Sequence, residues 1–241
     1  MTNDEQIDIL KKSGYKIIQN RKKFMFGLDA YLLCDFAEIR NDEKIVDFGT
    51  GTGIIPLLLA DSRASQIFGL ELQEESFLMA KKSVELNGLE EKIEIVHGDI
   101  KNAFNLFGKN FFNAVISNPP YIKVVSGKLN PEEAKNIARH EICCTLEDLF
   151  NSASKVLKSN GRFYMIHRPE RLDEIFYFAE KSDFKIKRMR LVFPFADKNP
   201  TMVLVECRKN ANLGVKVLPP LVVYEKPGVY TKEVLGIYER I

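Results

Sequence analysis

The chain has 241 residues, of which 45% are hydrophobic and 28% charged, and its formal net charge is +2. This composition is typical of a globular protein with a substantial core. The total charge is close to neutral and by itself is not evidence for a nucleic-acid partner. The sequence has no apolar run of about eighteen residues and no apolar leader, so we expect a cytoplasmic protein without a membrane span. The four cysteines include no CxxC pair, which predicts reduced thiols and no metal site.

From Lys44 onward, short apolar runs alternate with longer amphipathic stretches. The predicted strands cover residues 44–48, 66–72, 92–98, 111–117, 162–167, 184–194 and 201–209. The predicted helices cover residues 53–62, 73–89, 100–107, 145–161 and 169–182. Strands joined by helical crossovers predict an α/β fold with a seven-stranded, mostly parallel sheet and helices on both faces. Because the last two strands have no helix between them, we expect one antiparallel strand at an edge of the sheet.

We expect a single domain with an N-terminal segment, a core and a C-terminal extension, at residues 1–43, 44–208 and 209–241. The sequence leaves the oligomeric state open, with a monomer favoured. Two basic clusters stand out: Lys11, Lys12, Lys16, Arg21, Lys22 and Lys23, and then Lys185, Lys187, Arg188 and Arg190. Each cluster is either a solvated face or, if the two converge in space, part of a phosphate-binding surface.

A glycine-rich turn joins the first predicted core strand to its helix, with Asp47 just before Gly49, Gly51 and Gly53. Glycines in this position allow positive φ angles and let the backbone approach a ligand closely. The dinucleotide fingerprint would need glycine at position 54, where Ile54 stands, and the lysine of a phosphate-binding loop is absent.

Acids also end the next two predicted strands, at Glu71 and Asp99. Glu71 is placed to accept hydrogen bonds from ribose hydroxyls, and Asp99 could accept one from an adenine amine. Acids at three successive strand ends suit a ligand that carries an adenosine and a positive charge, and they suit a polyphosphate badly. S-adenosylmethionine is such a ligand. The alternative is a purely structural turn with solvent-exposed acids.

The fourth predicted strand ends in Asn-Pro-Pro-Tyr, at residues 118–121. The side-chain carbonyl of Asn118 and the backbone carbonyl of Pro119 could each accept one hydrogen from an amino nitrogen, which would free its lone pair to attack a methyl donor. Pro119 and Pro120 fix φ and remove N–H groups, so they hold this loop rigidly. Tyr121 offers a flat face on which an extruded base or another planar group can stack. The alternative is a Pro-Pro turn that only ends a strand.

These motifs resemble the class I S-adenosylmethionine-dependent methyltransferases that modify amino nitrogens, with a Rossmann-like fold. Within them the chain is most similar to the bacterial tRNA adenine-N6 methyltransferases that act beside the anticodon of a valine tRNA. The similarity extends to residues 24–37, 138–141 and 199–206.

The resemblance implies which residues hold the cofactor and the substrate. The implied cofactor residues are Asp29, Asp47, Gly49, Gly51, Gly53, Glu71, Leu72, Asp99, Ile100 and Asn118. The implied catalytic residues are Asn118, Pro119, Pro120 and Tyr121. The implied substrate residues are Tyr121, Arg139, His140, Lys22 and Lys23, and the implied partner is the anticodon arm of a tRNA. Residues 122–139 are expected to form a lid, and His97 and His167 to be structural.

Three relatives with the same chemistry stay open as alternatives. Release-factor glutamine methyltransferases carry a helical domain before the glycine turn, and here only a short basic segment precedes it. Methyltransferases of guanine N2 in ribosomal RNA often have a duplicated N-terminal domain, and DNA adenine methyltransferases usually have a target-recognition domain. A different class, a scaffold protein that binds the cofactor without catalysis, is disfavoured by the intact Asn118 and its two prolines.

Overall fold

A computed structural model describes residues 5–20, 27–120 and 144–241. The strands in these residues are β1 (Glu5–Ile9), β2 (Lys16–Asn20), β3 (Lys44–Phe48), β4 (Gln66–Glu71), β5 (Ile93–His97), β6 (Phe112–Ser117), β7 (Leu157–His167), β8 (Phe184–Phe193), β9 (Met202–Lys209), β10 (Lys216–Val217), β11 (Leu221–Val222), β12 (Tyr224–Lys226) and β13 (Val229–Tyr230). The helices are α1 (Leu28–Phe36), α2 (Ile54–Leu58), α3 (Glu74–Leu86), α4 (Ala103–Phe107), α5 (Leu146–Val156), α6 (Leu172–Lys181) and α7 (Lys232–Arg240), with single 3₁₀ turns at Ile100–Asn102 and Pro169–Arg171.

Nine strands of the described residues form one twisted sheet in the order β10-β8-β9-β7-β6-β3-β4-β5, with β11 also beside β8. The pairs from β7 to β5 are all parallel, which confirms the predicted α/β fold. One feature of the prediction is wrong: the antiparallel strand, β9, is not at an edge but lies between β7 and β8. The chain first crosses to β8, which runs parallel to β7, and β9 then returns in the gap between them. Short strands β10 and β11 extend the predicted seven.

Helices cover both faces of the sheet, as predicted. One core cluster packs α1, α2, α3 and α7 on one face, through side chains such as Leu32, Ile55 and Ile237. The other cluster packs α4, α5 and α6 on the opposite face, through Phe150 and Ile175 among others. No helix of the described residues is long and apolar enough to cross a membrane.

Helix α5 is shorter than predicted. The sequence places its end near Gly161, but the helix ends at Val156, because Leu157 already has the extended angles φ −77° and ψ 139°. The start agrees with the prediction: Thr145 caps the helix in a reciprocal pair with Asp148.

An N-terminal hairpin of β1 and β2 packs along α3 and is not predicted by the sequence analysis. Ile18 N–H donates to Ser83 Oγ at 2.9 Å, and Lys16 N–H donates to Asn87 Oδ1 at 2.8 Å. Since Asn87 caps the C-terminal end of α3, the hairpin turn lies at the amino edge of the sheet, where the parallel strands begin. The lysines of the turn (Lys11, Lys12 and Lys16) are therefore at the edge opposite to the strand ends.

The second basic cluster, on β8, is neutralised within the molecule. Arg188 pairs with Glu38 at 2.6 Å, and Arg190 pairs with Glu233 at 2.6 Å. Lys185 and Lys187 likewise contact intramolecular oxygens. The structure thus favours the first of the two interpretations, a solvated face, for the β8 cluster.

Buried ion pairs lie toward the amino edge of the sheet. Arg162, at 2% exposure, pairs with Glu43, which directly precedes β3. Arg208 pairs with the buried Glu206 at 3.0 Å on the neighbouring strand β9. The first pair joins β7 to the residue before β3, and the second pair lies within β9.

Candidate active site

The carboxyl ends of β3, β4, β5 and β6 meet at one edge of the sheet. Phe48 is opposite Leu70, and Glu71 is opposite His97. The Ser117 hydroxyl donates a buried hydrogen bond of 2.8 Å to the carbonyl of Phe48. This bond joins the residue before Asn118 to the residue before the glycine turn. Sequence reasoning missed Ser117, because a serine near the end of an apolar strand carries no distinctive signal.

The glycine turn after β3 has the predicted conformation. Gly49, Gly51 and Gly53 have φ angles of 74°, 58° and 87°, in the left-handed region that favours glycine. A Cβ at Gly51 would meet no atom within 4 Å, whereas one at Gly53 would lie 3.2 Å from the Cβ of Ala80. Gly53 therefore allows α2 and α3 to pack closely, and Gly51 leaves an open space above the turn.

Glu71 is buried at 7% exposure, and its carboxylate accepts two backbone hydrogen bonds. Gly51 N–H donates to Oε2 at 2.8 Å, and Gln73 N–H donates to Oε1 at 2.7 Å. Glu71 therefore fixes the glycine turn from the neighbouring strand. Each carboxylate oxygen has two acceptor sites, so the capacity to bind ribose hydroxyls remains, and that role stays a prediction.

Asp47 is buried at 2% exposure, and its environment differs from that of Glu71. Within the described part of the chain, neither of its carboxylate oxygens has a hydrogen-bond partner of normal geometry, and neither does the nearby Thr50 hydroxyl. Burial raises the pKa of Asp47 to about 7; the Thr50 hydroxyl opposes this shift, and the Glu71 carboxylate adds to it. A buried acid without partners is costly to ionise unless a cationic group compensates it.

These features fit S-adenosylmethionine. The unpartnered Asp47 carboxylate would hold the ammonium group, the open space at Gly51 would accept the methionine end, and Glu71 would face the ribose. The same set fits a polyphosphate badly, because Asp47 and Glu71 would repel it.

Three further predicted cofactor residues follow β4 and β5: Leu72, Asp99 and Ile100. Ile100 Cδ1 is 4.0 Å from the position of a Cβ at Gly49, and Leu72 is 41% exposed. Asp99 Oδ1 accepts from Lys101 N–H at 2.8 Å and caps a 3₁₀ turn, which leaves its predicted contact with adenine untested. His97 stacks on Phe77 with a centroid distance of 5.2 Å.

Asp29 lies in the first turn of α1. Its Oδ1 is 3.4 Å from the position that a Cβ at Gly27 would take, so the carboxyl group folds back over the start of the helix. Because α1 precedes β3 and runs antiparallel to it, this start lies at the carboxyl edge. The location is compatible with the predicted cofactor contact, which stays a prediction.

The acceptor side of the site begins at Asn118, which is half-buried directly after β6. A cavity of about 370 Å³ borders Pro119 and Pro120 and reaches His167 and Arg171. Burial lowers the pKa of His167 to about 4, and the backbone N–H of Arg168 donates to its Nδ1 at 2.8 Å. His167 is therefore neutral at pH 7, in line with its expected structural role.

Several predicted residues lie outside the described part of the chain: Tyr121, Arg139, His140, Lys22 and Lys23, together with the expected lid. Within the described residues, no three His, Cys, Asp or Glu side chains are grouped so that they could hold a metal ion.

The family model described as the methyltransferase small domain matches residues 28–176, from the start of α1 into α6. The chain belongs to this family. Membership confirms the enzyme class expected from the glycine turn and the Asn-Pro-Pro segment, an S-adenosylmethionine-dependent methyltransferase. The matched range contains the described cofactor-side residues and the strand end that carries Asn118.

Relatives of known name are similar over most of their length. A protein of Dyadobacter fermentans is 30% identical over 206 residues, which cover 83% of this chain and 82% of the relative. One of Porphyromonas gingivalis is 29% identical over 242 residues, covering 96% and 94%. Both are named tRNA1(Val) (adenine(37)-N6)-methyltransferase. This result confirms the resemblance found from the motifs.

Solved structures of low sequence identity share the fold. A protein of Agrobacterium tumefaciens, Atu636, described as a predicted O-methyltransferase, has a TM-score of 0.72 at 21% identity and covers 88% of this chain and 96% of its own. TYW2 of M. jannaschii, solved in complex with AdoMet, has a TM-score of 0.57 at 16% identity, with coverages of 86% and 87%. The class I methyltransferase fold is thereby confirmed.

Proposed function

We propose that the protein transfers a methyl group from S-adenosylmethionine to the exocyclic N6 amine of an adenine in tRNA, at position 37 beside the anticodon of tRNA1(Val). The observation that carries this proposal is the similarity to relatives of that name over four-fifths or more of both chains. The position of Asn118 at the same sheet edge as the glycine turn supports it chemically.

The cofactor supplies an electrophilic methyl group, and the residues of this chain hold both reactants. Asp47 binds the ammonium group and Glu71 the ribose, while Gly51 allows the backbone to approach the methionine end. The buried carboxylate of Asp47, which has no hydrogen-bond partner of normal geometry among the described residues, is the feature that fits this cofactor most specifically.

Asn118 and Pro119 orient the acceptor. The exocyclic amine of adenine is a weak nucleophile, because its lone pair is delocalised into the ring. Hydrogen bonds from its two hydrogens to the Asn118 side-chain carbonyl and the Pro119 carbonyl favour a pyramidal nitrogen, whose lone pair can then attack. These fixed acceptors also stabilise the positive charge that develops on the nitrogen in the transition state.

The proposal is tested with purified protein, S-adenosylmethionine and unmodified tRNA1(Val) transcript. We expect N6-methyladenosine at position 37 by nucleoside mass spectrometry, and no product when guanine replaces that adenine. Asn118→Ala should lower the rate at least about 100-fold, the loss typical of one oriented polar group. The control Asn105→Ala changes an exposed asparagine of α4 and should leave the rate unchanged.

Parallel reactions with ribosomal RNA, DNA and a release factor distinguish the alternatives. Methyl transfer to guanine, to DNA or to a glutamine side chain, with none to tRNA, would overturn the proposed substrate while retaining the chemistry. Binding of the cofactor without transfer to any of the four would favour the scaffold alternative.

A further inference from the structure

The C-terminal hairpin of β12 and β13 is anchored at the carboxyl end of β8. Val223 N–H donates to the carbonyl of Phe193 at 2.8 Å, and Tyr224 N–H donates to that of Pro194 at 3.0 Å. Strand β8 runs parallel to β6, so this end lies at the edge of Asn118. In the sheet, β9 and β7 lie between β8 and β6, so β8 and β6 are three strand spacings apart. This separation puts the end of β8 about 15 Å from Asn118 along the edge.

Aromatic rings hold the hairpin in place. The rings of Tyr224 and Tyr230 stack with centroids 5.1 Å apart and an angle of 15°. Phe195 packs on Tyr224 at 5.6 Å, and Tyr238 of α7 packs on Tyr230 at 5.7 Å. The Thr231 hydroxyl donates to the carbonyl of Val222 at 2.8 Å. A ligand that binds this hairpin therefore has little conformational entropy to overcome on the protein side.

The tip of this hairpin is exposed. Residues 225–229 are all exposed, in contrast to the buried Leu221 and Val223 just before them. They surround a turn at Pro227–Gly228, in which Gly228 has a φ of 77°. This short, exposed hairpin lies at the carboxyl edge of the sheet, the edge of Asn118, where it can contact a large substrate.

Two lysines of this region have no acidic partner among the residues that the structure describes. Within the described residues, Lys226 on β12 and Lys232 in the first turn of α7 form no ion pair, although both are exposed. The cations of β8 are neutralised, by contrast: Arg190 is paired with Glu233 next to Lys232. Unpaired lysines at the reactive edge are available to bind the phosphates of an RNA backbone.

Two further cations continue this surface toward Asn118. Arg168 is exposed at the end of β7, and its Nη1 donates to the carbonyl of Thr201 across β9 at 3.0 Å. Lys198, 62% exposed in the loop between β8 and β9, pairs at 3.5 Å with Asp197, which is 76% exposed. Exposed ion pairs such as this one are weak and are screened by salt, so this pair does not prevent Lys198 from contacting a phosphate.

We propose that the C-terminal hairpin surface, defined by residues 224–230 and Lys232, binds the backbone of the RNA substrate through Lys226 and Lys232. The inference rests on the proposed function. The family model ends at residue 176, so this surface lies outside the matched methyltransferase domain and is suited to substrate selection rather than to methyl transfer. Asn118 acts on one base, and the hairpin would hold the same RNA further along the edge.

The test compares Lys226→Glu/Lys232→Glu with the wild-type protein. We expect the KM for tRNA to rise about tenfold at 0.15 M salt, with kcat at saturating tRNA and the affinity for S-adenosylmethionine unchanged. The slope of log affinity against log salt should fall by roughly 1.4 to 1.8, since each phosphate contact contributes about 0.7 to 0.9. A purely structural role would not change this slope.

The matched control is Lys109→Glu/Lys155→Glu, which makes the same charge change at two exposed lysines on the amino edge. An equal rise in KM for this control would overturn the inference, because net charge alone would explain it. So would an unchanged KM and salt slope in the hairpin variant. If the glutamate variant fails to fold, Lys226→Gln/Lys232→Gln replaces it. The slope of log affinity against log salt should also decrease in this variant. Failure of the wild-type protein to methylate tRNA would refute the proposed function instead.

Discussion

Two neighbouring strand ends each carry a buried acid, and the two charges are stabilised in different ways. Asp47 at the end of β3 and Glu71 at the end of β4 are both buried acids beside the glycine turn. Glu71 has both oxygens bonded to backbone N–H groups, so the protein itself stabilises its charge. Asp47 has no such donor among the described residues, and burial raises its pKa to about 7. The charge of Glu71 is thus stabilised by the fold itself, whereas the charge of Asp47 needs a bound cation to offset the cost of its burial.

The largest expected effect is on cofactor affinity at Asp47. Asp47→Asn should weaken S-adenosylmethionine binding about 100-fold, because truncating one partner of a buried charge pair costs about 3 kcal/mol. Isothermal titration calorimetry at pH 7 measures this change. Asp42→Asn, an exposed acid just before β3, is the control and should bind normally. A Kd within threefold of wild type for Asp47→Asn would contradict the assigned role.

The second prediction concerns the pH dependence of that binding. Only ionised Asp47 can pair with an ammonium group, and its pKa in the free protein is about 7. The affinity should therefore fall roughly tenfold between pH 7 and pH 5.5, where the amino group of the ligand stays protonated. The dependence should disappear in Asp47→Asn. A slope that persists in this variant would place the titrating group elsewhere.

The third prediction is that matched amide substitutions have opposite effects on stability without cofactor. Since the pKa of Asp47 is raised on folding, its destabilising effect is absent below pH 4 and complete above pH 7. Asp47→Asn should therefore raise the free energy of unfolding at pH 8 by about 1–3 kcal/mol.

Glu71→Gln should instead lower the free energy of unfolding by about 1–3 kcal/mol, because one buried N–H loses its acceptor. Urea denaturation at pH 8 measures both variants. Shifts in the same direction would refute the contrast between the two strand ends.

The smallest effect is expected at Ser117, which joins the two halves of the site through Phe48. Ser117→Ala should cost about 1 kcal/mol of stability and lower kcat roughly three- to tenfold, with cofactor affinity retained, because Asn118 is held less precisely. Ser65→Ala is the matched control, since Ser65 also donates to backbone carbonyls but at the amino edge. Because Ser65 is exposed, Ser65→Ala should cost less stability than Ser117→Ala and leave kcat unchanged. An equal loss of kcat in both variants would contradict a specific role for Ser117.

The sequence predicts the strands and helices of the core well, because hydrophobic periodicity and the glycine and proline signals are local. It does not predict strand order, so the position of β9 was wrong: pairing depends on contacts between distant segments. The hairpin of β1 and β2 is not predicted, although Ile7 and Ile9 alternate with polar residues before a turn at Gly14, because the adjacent Ile17 and Ile18 break the alternation in β2.

The candidate site was predicted as a set of residues but not as an arrangement. Asp47 and Glu71 were both assigned to the cofactor from their positions at strand ends. Their different roles depend on which backbone N–H groups point at each carboxylate, and this is decided by the fold of the turn. The lysines of the hairpin surface carried no signal either, since an isolated exposed lysine is ordinary in sequence.

The buried pair of Arg162 and Glu43 has a consequence for how the protein can change over time. The pair fixes β7 to the residue before β3 at the amino edge of the sheet. This edge is opposite to the one that carries the glycine turn and Asn118. Substitutions in the loops of the carboxyl edge can therefore accumulate without disturbing this anchor. A lineage could acquire a new RNA target by exchanging the carboxyl-edge loops other than the glycine turn and the Asn118 segment, while the sheet keeps its anchor.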